Sequence, residues 1–94
     1  MALTFEWDPL KARTNLQKHG VSFSEAVSAF TDQLSVTIPD PDHSEGEERF
    51  LLLGLSDEGR LLIVVHADRG EKIRIISARE ANRRERRQYA QEQA

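Results

Sequence analysis

The strongest constraint on this chain is a pair of apolar runs, Arg49–Leu55 and residues 60–67, separated by Ser56-Asp57-Glu58-Gly59. The polar four-residue spacer ending in Gly reads as a hairpin turn. Runs of nearly unbroken Leu, Ile and Val are the mark of strands covered on both faces. The pair therefore predicts a hairpin at the centre of a sheet. A chain of 94 residues is one domain, spanning 1–94. At this size only about 60–65% of the unfolded surface is buried, so every apolar strand has to contribute to the core.

The flanking segments supply the remaining elements. Phe5-Glu6-Trp7 is apolar–polar–apolar and reads as an edge strand. Asp8-Pro9 opens a helix, with Asp8 as N-cap and Pro9 at a position that needs no N–H. It runs to His19 and stops at Gly20. Ser22 and Glu25 are spaced as a capping box, Val21 and Ala26 as a hydrophobic staple. Phe23, Ala26, Val27 and Phe30 then form one apolar helical stripe. From Leu34 the period falls to two through Val36 and Ile38, a strand ended by Pro39. Residues 39–47 are polar and read as an exposed loop. Asp68-Arg69-Gly70-Glu71 is a second tight turn. Residues 72–77 alternate again, Ile73 and Ile75 pointing one way and Lys72, Arg74 and Ile76 the other. Ser77 and Glu80 are spaced as another capping box, which predicts a terminal helix opening there and running to about Gln91. The order β-α-α-β-β-β-β-α makes an α+β fold: two N-terminal helices, a mainly antiparallel sheet of four to five strands, and a C-terminal helix.

Composition excludes several classes. There is no cysteine, hence no disulfide and no thiolate–metal site. No stretch approaches the roughly 20 apolar residues of a membrane span. Met1-Ala2-Leu3-Thr4-Phe5-Glu6 lacks the basic and apolar regions of a signal peptide, and a cytoplasmic location is expected. The net charge of −3 conceals an asymmetry. Residues 1–68 hold 5 Lys/Arg and 12 Asp/Glu, while residues 69–94 hold 8 Lys/Arg and 4 Asp/Glu. A basic segment on an acidic body is a footprint for nucleic acid or an acidic protein partner, or else a solvated, salt-bridged helix.

Several strings together resemble the BrnT family of toxins. They are Phe5-Glu6-Trp7-Asp8-Pro9 with Lys11-Ala12, Asn15, and Lys18-His19-Gly20-Val21-Ser22-Phe23. Glu25-Ala26, Phe30, Asp32, Asp42-His43-Ser44, Glu47-Glu48-Arg49 and Gly54 follow. Residues 73–79, Glu85-Arg86 and Tyr89 complete the set, which covers roughly residues 5–89. The resemblance implies a RelE-like fold and a ribonuclease that inhibits translation without a cofactor. It also implies a cognate ribbon-helix-helix antitoxin in a hetero-oligomer that touches operator DNA only through that antitoxin.

Metal-independent RNA cleavage needs a base for the ribose 2′-OH, an acid for the leaving 5′-oxygen, and cations for the phosphorane. Arg74 on the last strand and Arg79 in the first turn of the expected terminal helix are the leading cations, because Arg binds phosphate bidentately and stays charged. Arg49 starts a neighbouring strand, with Glu48 as a candidate base. His66, near the end of the central strand, titrates in the right range for acid–base work. Lys72, Arg83 and Tyr89 are candidate RNA contacts, Tyr89 through base stacking. Each also has a structural reading: Arg79 pairing with Glu48 or Glu80, His66 as a core residue, Tyr89 as the group docking its helix. His19 at a helix C-terminus is explained structurally. Asp40, Asp42, His43 and Glu45 are close in sequence but lack a scaffold for metal geometry. A second class of reading is a catalytically silent module whose Arg patch only docks the antitoxin. Direct DNA binding is disfavoured by the sheet preceding the last helix.

Overall fold

The expected hairpin forms and organises everything else. Strands β3 (Arg49–Leu55) and β4 (Leu61–Arg69) pair antiparallel from Arg49 opposite Ala67 to Leu55 opposite Leu61. The turn between them is closed by the Ser56 N–H on the Arg60 carbonyl at 2.8 Å and the Gly59 N–H on the Ser56 carbonyl at 3.0 Å. The computed structural model describes residues 3–40 and 47–93. In it β4 is the centre of a five-stranded sheet. Strand β5 (Lys72–Glu80) lies antiparallel on one side of β4, with β1 (Thr4–Glu6) parallel outside it. On the other side β3 is followed by the edge strand β2 (Val36–Pro39). The element order is the one the sequence predicts, and the single parallel pair makes the sheet mixed.

Helices α1 (Pro9–His19) and α2 (Phe23–Ser28) cover one face. Beneath them Val21, Phe23, Ala26 and Ala29 pack on Leu52, Leu62, Val64, Ile75 and Ala78. Helix α3 (Arg83–Glu92) lies on the opposite face, over Leu53, Leu61, Ile63 and Ala81, with Leu51 and Tyr89 at the margin. This two-sided burial is why β4 is apolar at almost every position, each large aliphatic contributing about 1.5–3 kcal/mol. None of the helices is long and apolar enough to cross a membrane among the described residues.

The local signals act as their chemistry dictates. Asp8 accepts from the Leu10 N–H at 2.9 Å with Pro9 at N1, and Gly20 closes α1 at φ 70°. Ser22 accepts from the Glu25 N–H at 3.0 Å. The reciprocal half of that capping box is replaced: the buried Glu25 carboxylate accepts from Arg60 and, at 2.7 Å, from Ser56. Gly54 is needed for close approach. A Cβ there would lie 2.8 Å from the Ala29 carbonyl oxygen and 3.2 Å from the Ser35 Cβ.

One boundary differs from expectation. Ser77 and Glu80 do not open the last helix; they belong to β5, paired with Val65 and Leu62. Helix α3 instead begins after Asn82, whose side chain accepts from the Glu85 N–H while Glu85 accepts from the Asn82 N–H, both at 2.8 Å. Both spacings satisfy the capping rule. The long β4 decides between them, because the ladder continues as far as β4 offers partners. A second difference lies within the strand. The register shifts between Val65 and His66, so that His66 opposes Ile75, Val65 opposes Ser77, and Ile76 is bulged out of the ladder.

Candidate functional site

The bulge at Ile76 decides which cations share a surface. Cross-strand partners point to the same face of a sheet. Arg79 opposes Ile63, which lies under α3, and Arg74 opposes Ala67, two pairs further along β4 on the same side. Five residues apart on a regular strand they would face opposite ways; the extra residue puts both on the α3 face. Arg49 also opposes Ala67, and Lys72 opposes Arg69, so these side chains join the same face.

Helix α3 covers only the end of this face nearest the β3–β4 turn. At the other end Arg49, Arg69 and Arg74, from three strands, converge on Glu47. The nitrogen–oxygen separations are 3.9 Å for Arg49, 3.4 Å for Arg69 and 4.0 Å for Arg74. Among the described residues one carboxylate, Glu47, lies between the three guanidiniums, which marks where an anion fits, and guanidinium forks suit phosphate equally well. Beside the cluster a broad hollow is lined by Glu47, Glu48, Phe50, Asp68 and Arg69. Lys72 is exposed and pairs with Glu6 at 3.9 Å.

Arg79 is engaged differently. It belongs to β5, not to a helix, and its two terminal nitrogens donate to the two Glu85 oxygens at 2.8 Å each. The pairing keeps the Arg79 guanidinium firmly charged and holds the Glu85 carboxyl below the usual carboxylate range, the Arg79 hydrogen bonds being the main cause. Its partner is Glu85, not the Glu48 or Glu80 carboxylate. Arg79 also donates to the Glu80 backbone carbonyl at 3.2 Å.

His66 stands apart from this surface. It opposes Phe50 and Ile75 on the α1–α2 face, its ring 4.9 Å from Phe30 and 5.8 Å from Phe50. Among the described residues neither buried ring nitrogen has a hydrogen-bond partner, and burial pushes the imidazole pKa down. The sheet separates it from Arg74, so His66 and the arginine surface lie on opposite faces. Tyr89 docks α3, its hydroxyl donating to Asp32 at 2.7 Å. Asp32 also accepts from the Leu34 and Leu55 N–H groups. Tyr89 is thereby pushed up to about 12 by that bond, which leaves its phenol a poor proton donor at neutral pH. Arg83 is exposed at the first turn of α3, and Glu48 is exposed at the start of β3.

Two residues of the cluster were not singled out from sequence, Glu47 and Arg69. Their signals exist: Glu47 is two residues from Arg49 along extended chain, and Arg69 faces Lys72 across a two-residue turn. Among the described residues no group of three or more His, Asp or Glu is arranged around a metal site. Asp42, His43 and Glu45, and with them the Asp42-His43-Ser44 string, lie outside the described residues.

Residues 7–85 match the model of a family described as the ribonuclease toxin BrnT of type II toxin–antitoxin systems. The fold is similar to the 1.1 Å crystal structure of the Brucella abortus ribonuclease toxin BrnT, with a TM-score of 0.64 and 21% identity over 87% of this chain and 100% of that one. No curated protein matches the chain as a relative.

Proposed function

The chain belongs to the BrnT family of ribonuclease toxins of type II toxin–antitoxin systems, and on that footing we propose that it is an endoribonuclease that cuts RNA without a metal and inhibits translation until an antitoxin binds it. One observation carries the assignment of the site: Arg49, Arg69 and Arg74, from three strands, share the Glu47 carboxylate on a chain whose first 68 residues are net acidic. In this reading a phosphodiester takes the position of that carboxylate, exchanging one anion for another at little electrostatic cost. The three guanidiniums then neutralise the charge that builds on phosphorus as the 2′-oxygen attacks.

Glu47, displaced from its ion pairs but tethered beside the phosphate, is the base that takes the 2′-OH proton. The O2′–P bond forms, the P–O5′ bond breaks, and the leaving 5′-oxygen takes a proton from solvent, giving a 2′,3′-cyclic phosphate and a free 5′-hydroxyl. Glu48 lies at the rim of the hollow, and Lys72 extends the cationic track along β5. Arg79, held by Glu85, acts as a positioning residue that seats α3 beside the cluster. The family also implies a protein antitoxin, and a ribbon-helix-helix partner that carries the complex to operator DNA is part of the same proposal.

The test is cleavage of RNA by the purified chain with a chelator present. Arg74→Ala is expected to lower the rate by about 100-fold, the usual loss when one stabilising donor is removed, with the thermal midpoint unchanged. Wild-type cleavage by Arg74→Ala would overturn the site, and no cleavage by the wild-type chain would overturn the activity. The silent-module reading gains from one observation, the occupation of Arg79 by Glu85. The same assay separates the two.

A further inference from the structure

Between α3 and the edge of the sheet runs a small groove lined by Val36, Ile38, Leu51, Leu53 and Ile63, with Glu85 and Gln88 on its helix wall. Its volume of about 70 Å³ admits one aliphatic side chain. Val36 and Ile38 belong to β2, the last strand of the sheet among the described residues. Ile38 is 42% exposed, so an apolar side chain can reach it from solvent.

Arg84 lies one helical turn before Gln88, on the same face of α3, at the rim of the groove. Among the described residues the ion pairs join carboxylates to Arg49, Arg60, Arg69, Lys72, Arg74 and Arg79, and to none of Arg83, Arg84, Arg86 and Arg87. The one carboxylate in the first turn of α3, Glu85, is already taken by Arg79. The apolar slot thus lies beside a helix whose exposed arginines Arg83, Arg84, Arg86 and Arg87 are free of these ion pairs.

We propose that this groove docks an acidic, amphipathic segment of a partner protein, which sets one aliphatic side chain between Ile38 and Leu53 and a carboxylate against Arg84, with the other exposed arginines of α3 adding attraction at longer range. The proposal deepens the toxin reading and rests on it for the existence of a protein partner. The apolar lining favours polypeptide over nucleic acid: a phosphodiester gains nothing from five aliphatic walls, and among the described residues that line the groove none is aromatic. Arginine flanking a buried aliphatic contact is the common composition of the energetic centre of a protein interface.

The probe is the product of the neighbouring reading frame, co-expressed with the chain and then titrated against it. Ile38→Asp, and Arg84→Glu combined with Arg87→Glu, are each expected to weaken that binding by at least about tenfold. The loss from the double Arg variant shrinks when salt is raised to about 0.5 M. Lys18→Glu, on α1 across the molecule, leaves binding unchanged. Thermal midpoints confirm that each variant is folded, and RNA cleavage by each free variant stays within about twofold of wild type. Full partner affinity in both groove variants overturns the proposal. So does loss of RNA cleavage with partner affinity retained, which would assign this face to RNA. If the wild-type chain cuts no RNA yet the groove variants still lose the partner, the ribonuclease reading falls and the docking surface stands.

Discussion

Arg79 and Glu85 are joined fork to fork, two N–H···O bonds of 2.8 Å linking the end of β5 to the first turn of α3. Glu85 uses the same carboxylate to accept from the Asn82 N–H. One side chain thus caps the helix and ties it to the sheet, beside Tyr89 on Asp32 and Gln93 on the Leu34 carbonyl. With no fully buried residue of its own, α3 depends on these polar ties.

Glu85→Gln therefore loosens α3 more than an exposed substitution would. The pair is partly open to solvent, so the expected loss is about 1 kcal/mol. The Glu85 pKa lies below its ordinary value of 4.5 in the folded protein, chiefly through Arg79. Its stabilisation is thus complete above that value and disappears as pH falls through the folded pKa. Denaturation followed at pH 7 and pH 3 should show wild type and Glu85→Gln converging in acid. A constant gap would remove the ion pair from the account.

Asn15 does comparable work inside the core. From α1 its amide donates to the Val21 carbonyl at 2.9 Å and to the Ala78 carbonyl at 2.8 Å, and it accepts from the Ala78 N–H at 3.1 Å. It pins β5 two residues beyond the bulged Ile76. Asn15→Ala leaves the buried Ala78 N–H without its partner, and unmet buried groups cost about 1–3 kcal/mol each. A loss of about 3 kcal/mol in chemical denaturation is expected. Backbone exchange at Ala78 should rise with it, and unchanged protection there would mean that another group holds the strand.

Local chemistry was readable; long-range pairing was not. Asp8-Pro9, Ser22 and Gly20 act within four residues of themselves, and the Leu, Ile and Val of β3 and β4 carry their two-sided burial openly. Ser77 and Asn82 each precede a glutamate by three residues, and only the length of β4, a different segment, makes Asn82 the cap. The bulge at Ile76 is likewise set by pairing with Val65 and His66. It is invisible to a count of alternation, although it determines that Arg74 and Arg79 share a face. Arg69 and Glu47 escaped notice because the cluster is assembled from three strands, and sequence spacing reaches only two of them at a time.

His66 gives a pH dependence of its own. Its ring lies between Phe30 and Phe50 with neither nitrogen partnered among the described residues, and burial lowers its pKa, opposed by the charge of Asp68. The unfolded chain therefore takes up a proton near pH 6.5 while the folded chain resists it. Stability is full above that pH, falls as pH drops below it and levels off below the folded pKa. A measurable loss is expected between pH 7 and pH 5. His66→Phe keeps the ring contacts and removes the titration, so its stability should be flat across that window. It should also leave RNA cleavage intact. Loss of cleavage in a stable His66→Phe protein would return the residue to the chemistry.

The two neighbouring glutamates at the start of β3 offer the sharpest test of the site. Glu47 shares the face of Arg49 and lies 3.4–4.0 Å from three guanidiniums, whereas Glu48 is one position out of phase and exposed. Removing the Glu47 charge should free the arginines, so Glu47→Gln is expected to bind RNA several-fold more tightly and to lower KM. If the same carboxylate takes the 2′-OH proton, kcat falls by about 100-fold or more, the usual contribution of a general base. The fall in kcat beside the lowered KM is the signature, because a carboxylate that only clamps the arginines would lower KM and leave kcat alone. Glu48→Gln should change neither by more than about twofold. A collapse of kcat in Glu48→Gln with normal activity in Glu47→Gln would move the base to the outer glutamate and leave Glu47 as the clamp on the arginines.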